Sequence, residues 1–170
     1  ATAMTARRAR DVGELGATGW RRADSEARIS VALGRAVISG RVDRVEVSPS
    51  GQVRIVDLKT GRSKPTKDEV RRHGQLGAYQ VAVEEGALAE LGTSSGGAAL
   101  LQLGKAATQQ TTLQTQAPLG GDEDPTWAHE LVTEVAEQMS GASFAATPGS
   151  HCGTCQVKDS CPAFAQGRRL

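Results

Sequence analysis

Three stretches in the first third of the chain alternate apolar and polar positions and are rich in β-branched residues: "ARISVAL" (27–33), "AVISGRVDRVEV" (36–47) and "QVRIVDLKT" (52–60). Alternation of this period predicts strands. Gly34-Arg35 and Ser48-Pro49-Ser50-Gly51 lie between them and supply turn chemistry, so the three strands form an antiparallel meander. Beyond Pro65, Val70, Leu76, Tyr79 and Val83 fall roughly on one face of a helix that starts near Thr66 or Lys67 and runs to about Glu85. "GGAALLQLG" (96–104) and "TTLQTQAP" (111–118) predict a second hairpin. Trp127, Leu131, Val135 and Met139, spaced by four, predict a last helix opening at Asp124 or Pro125. Residues 3–17 are weakly helical, and the tail after Phe144 has no period. The order β-β-β-α-β-β-α predicts an α+β domain, a sheet with a helix packed on it.

Length and composition narrow the class. A chain of 170 residues is one domain's worth. With 38% hydrophobic and only 3% aromatic residues, the core must be built from Val, Leu, Ile and Ala. No apolar run approaches the ~18 residues that span a bilayer, and no apolar block follows Arg7, Arg8 and Arg10 as a signal peptide requires. No membrane partner and a cytoplasmic location are therefore expected. The net charge of +1 is uninformative, but Arg62, Lys64, Lys67, Arg71, Arg72 and His73 crowd one stretch, a solvated helix face or a phosphate-facing surface. The first Met is at position 4, and the chain reads as a fragment of something larger.

Asp43 and Asp57 carry the candidate chemistry. They lie fourteen residues apart across the turn at 48–51, which brings them near one another on adjacent strands. Each follows a valine in a segment fit for burial, where an unpaired carboxylate is costly and two together repel unless a cation intervenes. Lys59 shares the face of Asp57 by alternation. Two acids and a lysine at one spot suit a divalent metal with hard oxygen ligands beside a cation that offsets developing negative charge. A lone Asp-x-Lys in a strand is equally a surface ion pair.

All three cysteines, Cys152, Cys155 and Cys161, fall within ten residues. Three clustered thiols argue against a disulfide framework and for a reducing compartment. Their Cys-x2-Cys-x5-Cys spacing suits metal ligation but stops one ligand short of four; thiolates fit an iron–sulfur cluster or zinc, and His151 keeps zinc in play.

Taken in order, Gly40-Arg41-Val42-Asp43-Arg44, Asp57-Leu58-Lys59-Thr60-Gly61 and Gln75-Leu76-Gly77-Ala78-Tyr79 resemble the three motifs of the RecB-like branch of the PD-(D/E)xK nucleases, over residues 26 to 161. The resemblance implies a restriction-endonuclease-like core with a mixed central sheet flanked by helices and a Cys-rich C-terminal tail. It implies catalytic roles for Asp43, Asp57 and Lys59, with Mg²⁺ or Mn²⁺ held by Asp43, Asp57 and the Leu58 carbonyl, and Lys59 orienting or activating the attacking water. Gln75 and Tyr79 would face the site and hold nucleic acid, or else be an ordinary polar position and a half-buried tyrosine. The tail, with Pro162 after the last cysteine, resembles that of AddB/AdnB-type modules. Cys152, Cys155 and Cys161 would then hold a 4Fe–4S cluster whose fourth cysteine, like a further acidic or His metal ligand, is expected before residue 1. Glu26 lies near enough to be considered for that metal ligand and is read as an ordinary strand-start residue.

The organisation expected is a lead-in over 1–25, a nuclease core over 26–145 and the cysteine tail over 146–170. The function expected is metal-dependent DNA cleavage, exonucleolytic on single strands, within a bacterial helicase–nuclease that repairs double-strand breaks. Its partners would be DNA, a helicase module in the same chain and a partner helicase–nuclease subunit. The alternatives are a non-catalytic DNA-binding or scaffold module of the same fold and a stand-alone exonuclease.

Overall fold

The computed structural model describes residues 19–61, 64–103, 111–143, 145–165 and 167. The weakly helical stretch at 3–17 and Arg62 lie outside them. Two compact units divide the chain at residues 134 and 135.

The first unit is built on one five-stranded sheet in the order β1-β2-β3-β4-β5, from β1 (Arg21–Leu33), β2 (Ala36–Val47), β3 (Val53–Lys59), β4 (Ser95–Gln102) and β5 (Thr112–Gln116). β1, β2 and β3 form the expected antiparallel meander, and β4 pairs antiparallel with β5. β3 and β4 are parallel, so the sheet is mixed. A parallel pair requires a crossover, and the helical segment between Pro65 and Glu85 provides it.

β4 is an almost continuous buried run, Ser-Gly-Gly-Ala-Ala-Leu-Leu, as befits a strand covered on both faces. Ala98 and Leu100 pack with Val70, Leu76 and Tyr79 on one face; Ala99 and Leu101 pack with Val56, Leu58 and Leu103 on the other. Val45, Val47, Val53 and Ile55 form a further cluster with Ala82 and Val83. Each such aliphatic side chain, fully buried, contributes about 1.5–3 kcal/mol.

The crossover is two helices where the apolar spacing predicts one. Helix α1 (Lys67–Arg71) opens on a Thr66–Glu69 capping box, and α2 (Gly74–Glu84) follows after an extended His73 (φ −71, ψ 112). One buried side chain bridges the carbonyls around the break: Gln116 Nε2 donates to Val70 O at 2.9 Å, with Arg71 O and His73 O at 3.4 and 3.3 Å, while Val70 O and His73 O also accept the His73 and Gly77 N–H groups. A distant strand thus stabilises an interruption that helix periodicity does not reveal.

The last helix, α3 (Trp127–Ser140), starts two or three residues later than Asp124 or Pro125. Trp127 and Ala128 pack with Val81 and Leu119, and Leu131 joins them. Gly77 makes this approach possible, because a Cβ there would lie 2.5 Å from a Trp127 ring carbon. Val135 and Met139, spaced as core residues, are instead 43% and 70% exposed, so the apolar stripe is longer than the buried face.

The second unit contains the tail. Cys152 lies in a short 3₁₀ turn at Ser150–Thr154, Cys155 directly follows it and Cys161 directly follows a second turn at Lys158–Ser160, and none of the three forms a disulfide.

Candidate active site

The site forms where β2 and β3 stop pairing. Their ladder runs from Val47 opposite Val53 to Arg44 opposite Val56, and one step further brings Asp43 level with Asp57. There the Asp43 carboxylate accepts the Leu58 backbone N–H at 2.7 Å, a side chain standing in for the strand partner.

Strict alternation also fails on β2 at this point. Val42 and Val45, three residues apart, lie in one buried cluster, so the alternation slips by one at Asp43–Arg44. Across the β1–β2 ladder Ser25 faces Arg44 and Ala27 faces Val42, which sets Glu26 level with Asp43. Glu26 has φ 57, unique among described residues other than glycine in being positive. Irregularities of this kind re-aim side chains and collect near functional sites. Glu26 sits within a strand that begins at Arg21, not at its start, and its exposed carboxylate lies 3.7 Å from Arg41.

Asp57 is nearly buried, its side chain 9% exposed, with Lys59 Nζ 2.8 Å from Oδ2. Oδ2 has no hydrogen bond of good geometry; the ammonium is its ion-pair neighbour only. Gln75 and Tyr79, one turn apart on α2, both donate to Oδ1, at 3.0 and 3.3 Å. Gln75 Nε2 also donates to the Tyr79 hydroxyl at 2.8 Å, and Lys59 Nζ donates to Gln75 Oε1 at 3.1 Å. Asp57, Lys59, Gln75 and Tyr79 thus form one connected cluster, with Asp43 and Leu58 on its strand side. Burial pushes the Tyr79 phenol up to about 12, with the Asp57 carboxylate as the next cause. The residue is a neutral donor at any physiological pH.

Lys59 pairs with Asp57, whereas Asp43 meets the Leu58 N–H, so the two carboxylates together keep negative charge that a divalent cation would offset. Among the described residues no three His, Cys, Asp or Glu side chains gather to hold a metal. Asp43 and Asp57 still fit Mg²⁺, which keeps several waters and is held by one or two carboxylates together with substrate phosphate. Leu58 enters the site through its N–H. Cys152, Cys155 and Cys161 have thiolate chemistry that suits iron–sulfur or zinc but are not gathered into a cluster; Cys152 Sγ accepts from Gly149 N at 3.2 Å.

The basic stretch divides. Lys64, Lys67 and Arg71 are exposed, whereas Arg72 pairs with Asp122 at 2.9 Å and Asp124 at 3.4 Å and lies over Trp127. It braces the start of α3.

Two buried polar networks are not foreshadowed by the motifs. Gln80 Oε1 accepts from the Ser95 hydroxyl and Leu119 N, while its amide donates to Gln116 Oε1 and Ala117 O, all at 2.9–3.0 Å. Through Gln116 this network fixes the break that aims α2, and with it Gln75 and Tyr79, at Asp57. In the other network Glu46, wholly buried, pairs with Arg44 at 2.9 Å and with Arg54 at 2.5 Å, while Arg54 stacks on Trp20. Charged residues between buried valines in β2 and β3 were the available signal for the second.

A solved structure described as "Crystal structure of SSO0001" covers 94% of this chain and 68% of its own, at 14% identity and a TM-score of 0.43, too distant to inform the site. No curated protein matches. The profile of the PD-(D/E)XK nuclease superfamily matches residues 1–162, nearly the full length and all three motif segments, and the chain belongs to that superfamily.

Proposed function

We propose that this chain is a metal-dependent deoxyribonuclease domain in which Asp43 and Asp57 hold Mg²⁺ or Mn²⁺, with the Leu58 carbonyl as a further ligand. The observation that carries the reading is the convergence of Lys59, Gln75 and Tyr79 on the nearly buried Asp57. When bound, the cation polarises the scissile phosphate and makes water a better nucleophile. The side chains supply the rest. Gln75 and Tyr79 hold the Asp57 carboxylate in one orientation, as outer-shell donors do for metal-ligating groups. Lys59 sets positive charge beside the place where the phosphate gains negative charge.

The parent would be a bacterial helicase–nuclease acting in the cytoplasm on broken DNA, with a helicase module and a partner subunit. In it, Cys152, Cys155 and Cys161 would be three ligands of a 4Fe–4S cluster. The thiolate chemistry and spacing support this. Stoichiometric zinc without iron in anaerobically purified parent protein overturns the cluster and leaves the nuclease reading standing.

Exonuclease action is tested by offering linear and covalently circular single-stranded DNA with Mg²⁺ or Mn²⁺. Degradation of the linear form alone is expected. Equal attack on the circle contradicts the exonuclease reading, and no attack on either contradicts the nuclease reading.

A further inference from the structure

We infer that Arg28 and Arg41, paired across the β1–β2 hairpin, grip backbone phosphates of the nucleic-acid strand beside the catalytic carboxylates, an inference that rests on the nuclease reading. The two arginines stand directly opposite one another in the ladder, and the next pairs are Ile29 opposite Gly40 and Ser30 opposite Ser39. Directly opposed side chains have Cβ atoms only ~4.5–5.5 Å apart, and like charges there destabilise the sheet. These six residues border one groove of about 420 Å³, with Arg28, Ser30, Ser39 and Arg41 on one face of the hairpin and Ile29 and Gly40 on the other.

The groove cannot avoid the repulsion by turning over. Ile29, between the arginine and serine of β1, is buried in the core cluster with Ala27, and a one-residue slip would expose both. Gly40, opposite Ile29, faces the other side of the hairpin from the arginines, and nothing lies within 4 Å of where its Cβ would be. Ser30 and Ser39, both exposed, add two hydroxyl donors to the two guanidinium forks.

Neighbouring acid does not neutralise the pair. Among described residues no carboxylate lies within ion-pair distance of Arg28; Arg41 has only Glu26 at 3.7 Å, with both side chains more than half exposed, a contact of small worth. Two arginine forks and two hydroxyls on one face of the hairpin match phosphate oxygens, which arginine binds in bidentate fashion. Its place in the chain selects the source of the phosphate. Arg41 precedes Asp43 by two residues on β2, about 7 Å along the strand, so a nucleic acid entering the site passes the groove.

The test is equilibrium binding of a fluorescent single-stranded oligonucleotide to the 170-residue chain, without divalent metal, across a salt series. Arg28→Gln with Arg41→Gln should weaken binding by about tenfold at low salt and reduce the slope of log affinity against log salt by about 1.4, the loss of two phosphate contacts. Arg35→Gln, at the hairpin turn outside the groove, controls for net charge and should change the slope little. Thermal melting of the double variant should not fall, since a repulsion is removed.

An unchanged affinity and slope, a change matched by Arg35→Gln, or equal competition by polyglutamate would each overturn the grip. Wild-type cleavage with an unaffected double variant sinks the groove alone. Binding that depends on the pair, in a protein that never cleaves, sinks the nuclease reading alone.

Discussion

Asp43 and Leu58 are joined by a 2.7 Å hydrogen bond from backbone N–H to carboxylate, so the residue proposed to hold metal also replaces a missing strand contact. These roles separate by substitution. Asp43→Asn retains an oxygen that accepts the N–H, while Asp43→Ala leaves the donor unsatisfied, at a cost of about 1–3 kcal/mol. Both variants should lose cleavage, but only the alanine form should lose stability in denaturant unfolding. Equal stability of the two would mean the bond contributes nothing to the fold.

Tyr79 is the chain's only tyrosine, so tyrosinate absorbance reports it without overlap. In metal-free protein its midpoint should lie near the value of about 12 to which burial and Asp57 push it. The folded value is raised, so the associated stability is complete below the ordinary tyrosine value near 10. It is lost as pH climbs toward the raised value. Asp57→Asn should lower the midpoint only in part, since desolvation is the larger cause. A native midpoint near 10 would contradict the buried hydrogen-bonded placement.

Gly77 lies where α2 meets Trp127. A methyl group there would lie 2.5 and 3.0 Å from ring carbons and 3.1 Å from the Ala128 Cβ. Gly77→Ala should therefore destabilise by about 1–3 kcal/mol through overpacking, despite alanine's better helix propensity. Adding Trp127→Phe should recover part of the loss, a coupling that a double-mutant cycle measures. Strictly additive effects would mean the two helices do not meet there.

Much of this arrangement was legible in the chain. Alternation and turn chemistry located the meander, and the Asp43 and Asp57 segments marked adjacent strand positions. Three features were not legible, each for a physical reason. The break between α1 and α2 depends on Gln116, more than forty residues away, and local periodicity carries no trace of such a partner. Val135 and Met139 have the spacing of core residues, but a helical stripe does not state how far along its length it is covered. The slip in alternation at Asp43 appears only when Val42 and Val45 are seen in one cluster. Hence the two carboxylates could be foreseen as neighbours, while the Leu58 N–H and the strained Glu26 could not.

The most direct test of the account is single-turnover cleavage of end-labelled linear single-stranded DNA, with Mg²⁺ or Mn²⁺ titrated, by wild-type protein and by Asp57→Asn. The amide keeps the shape of the carboxylate and an acceptor for Gln75 but removes the charge proposed to hold the cation. Wild-type protein should cleave only with metal, and the variant should be slower by at least about a hundredfold at saturating metal, in line with loss of a group that acts in the transition state. Undiminished, metal-dependent cleavage by Asp57→Asn would show that the chemistry lies elsewhere in the chain.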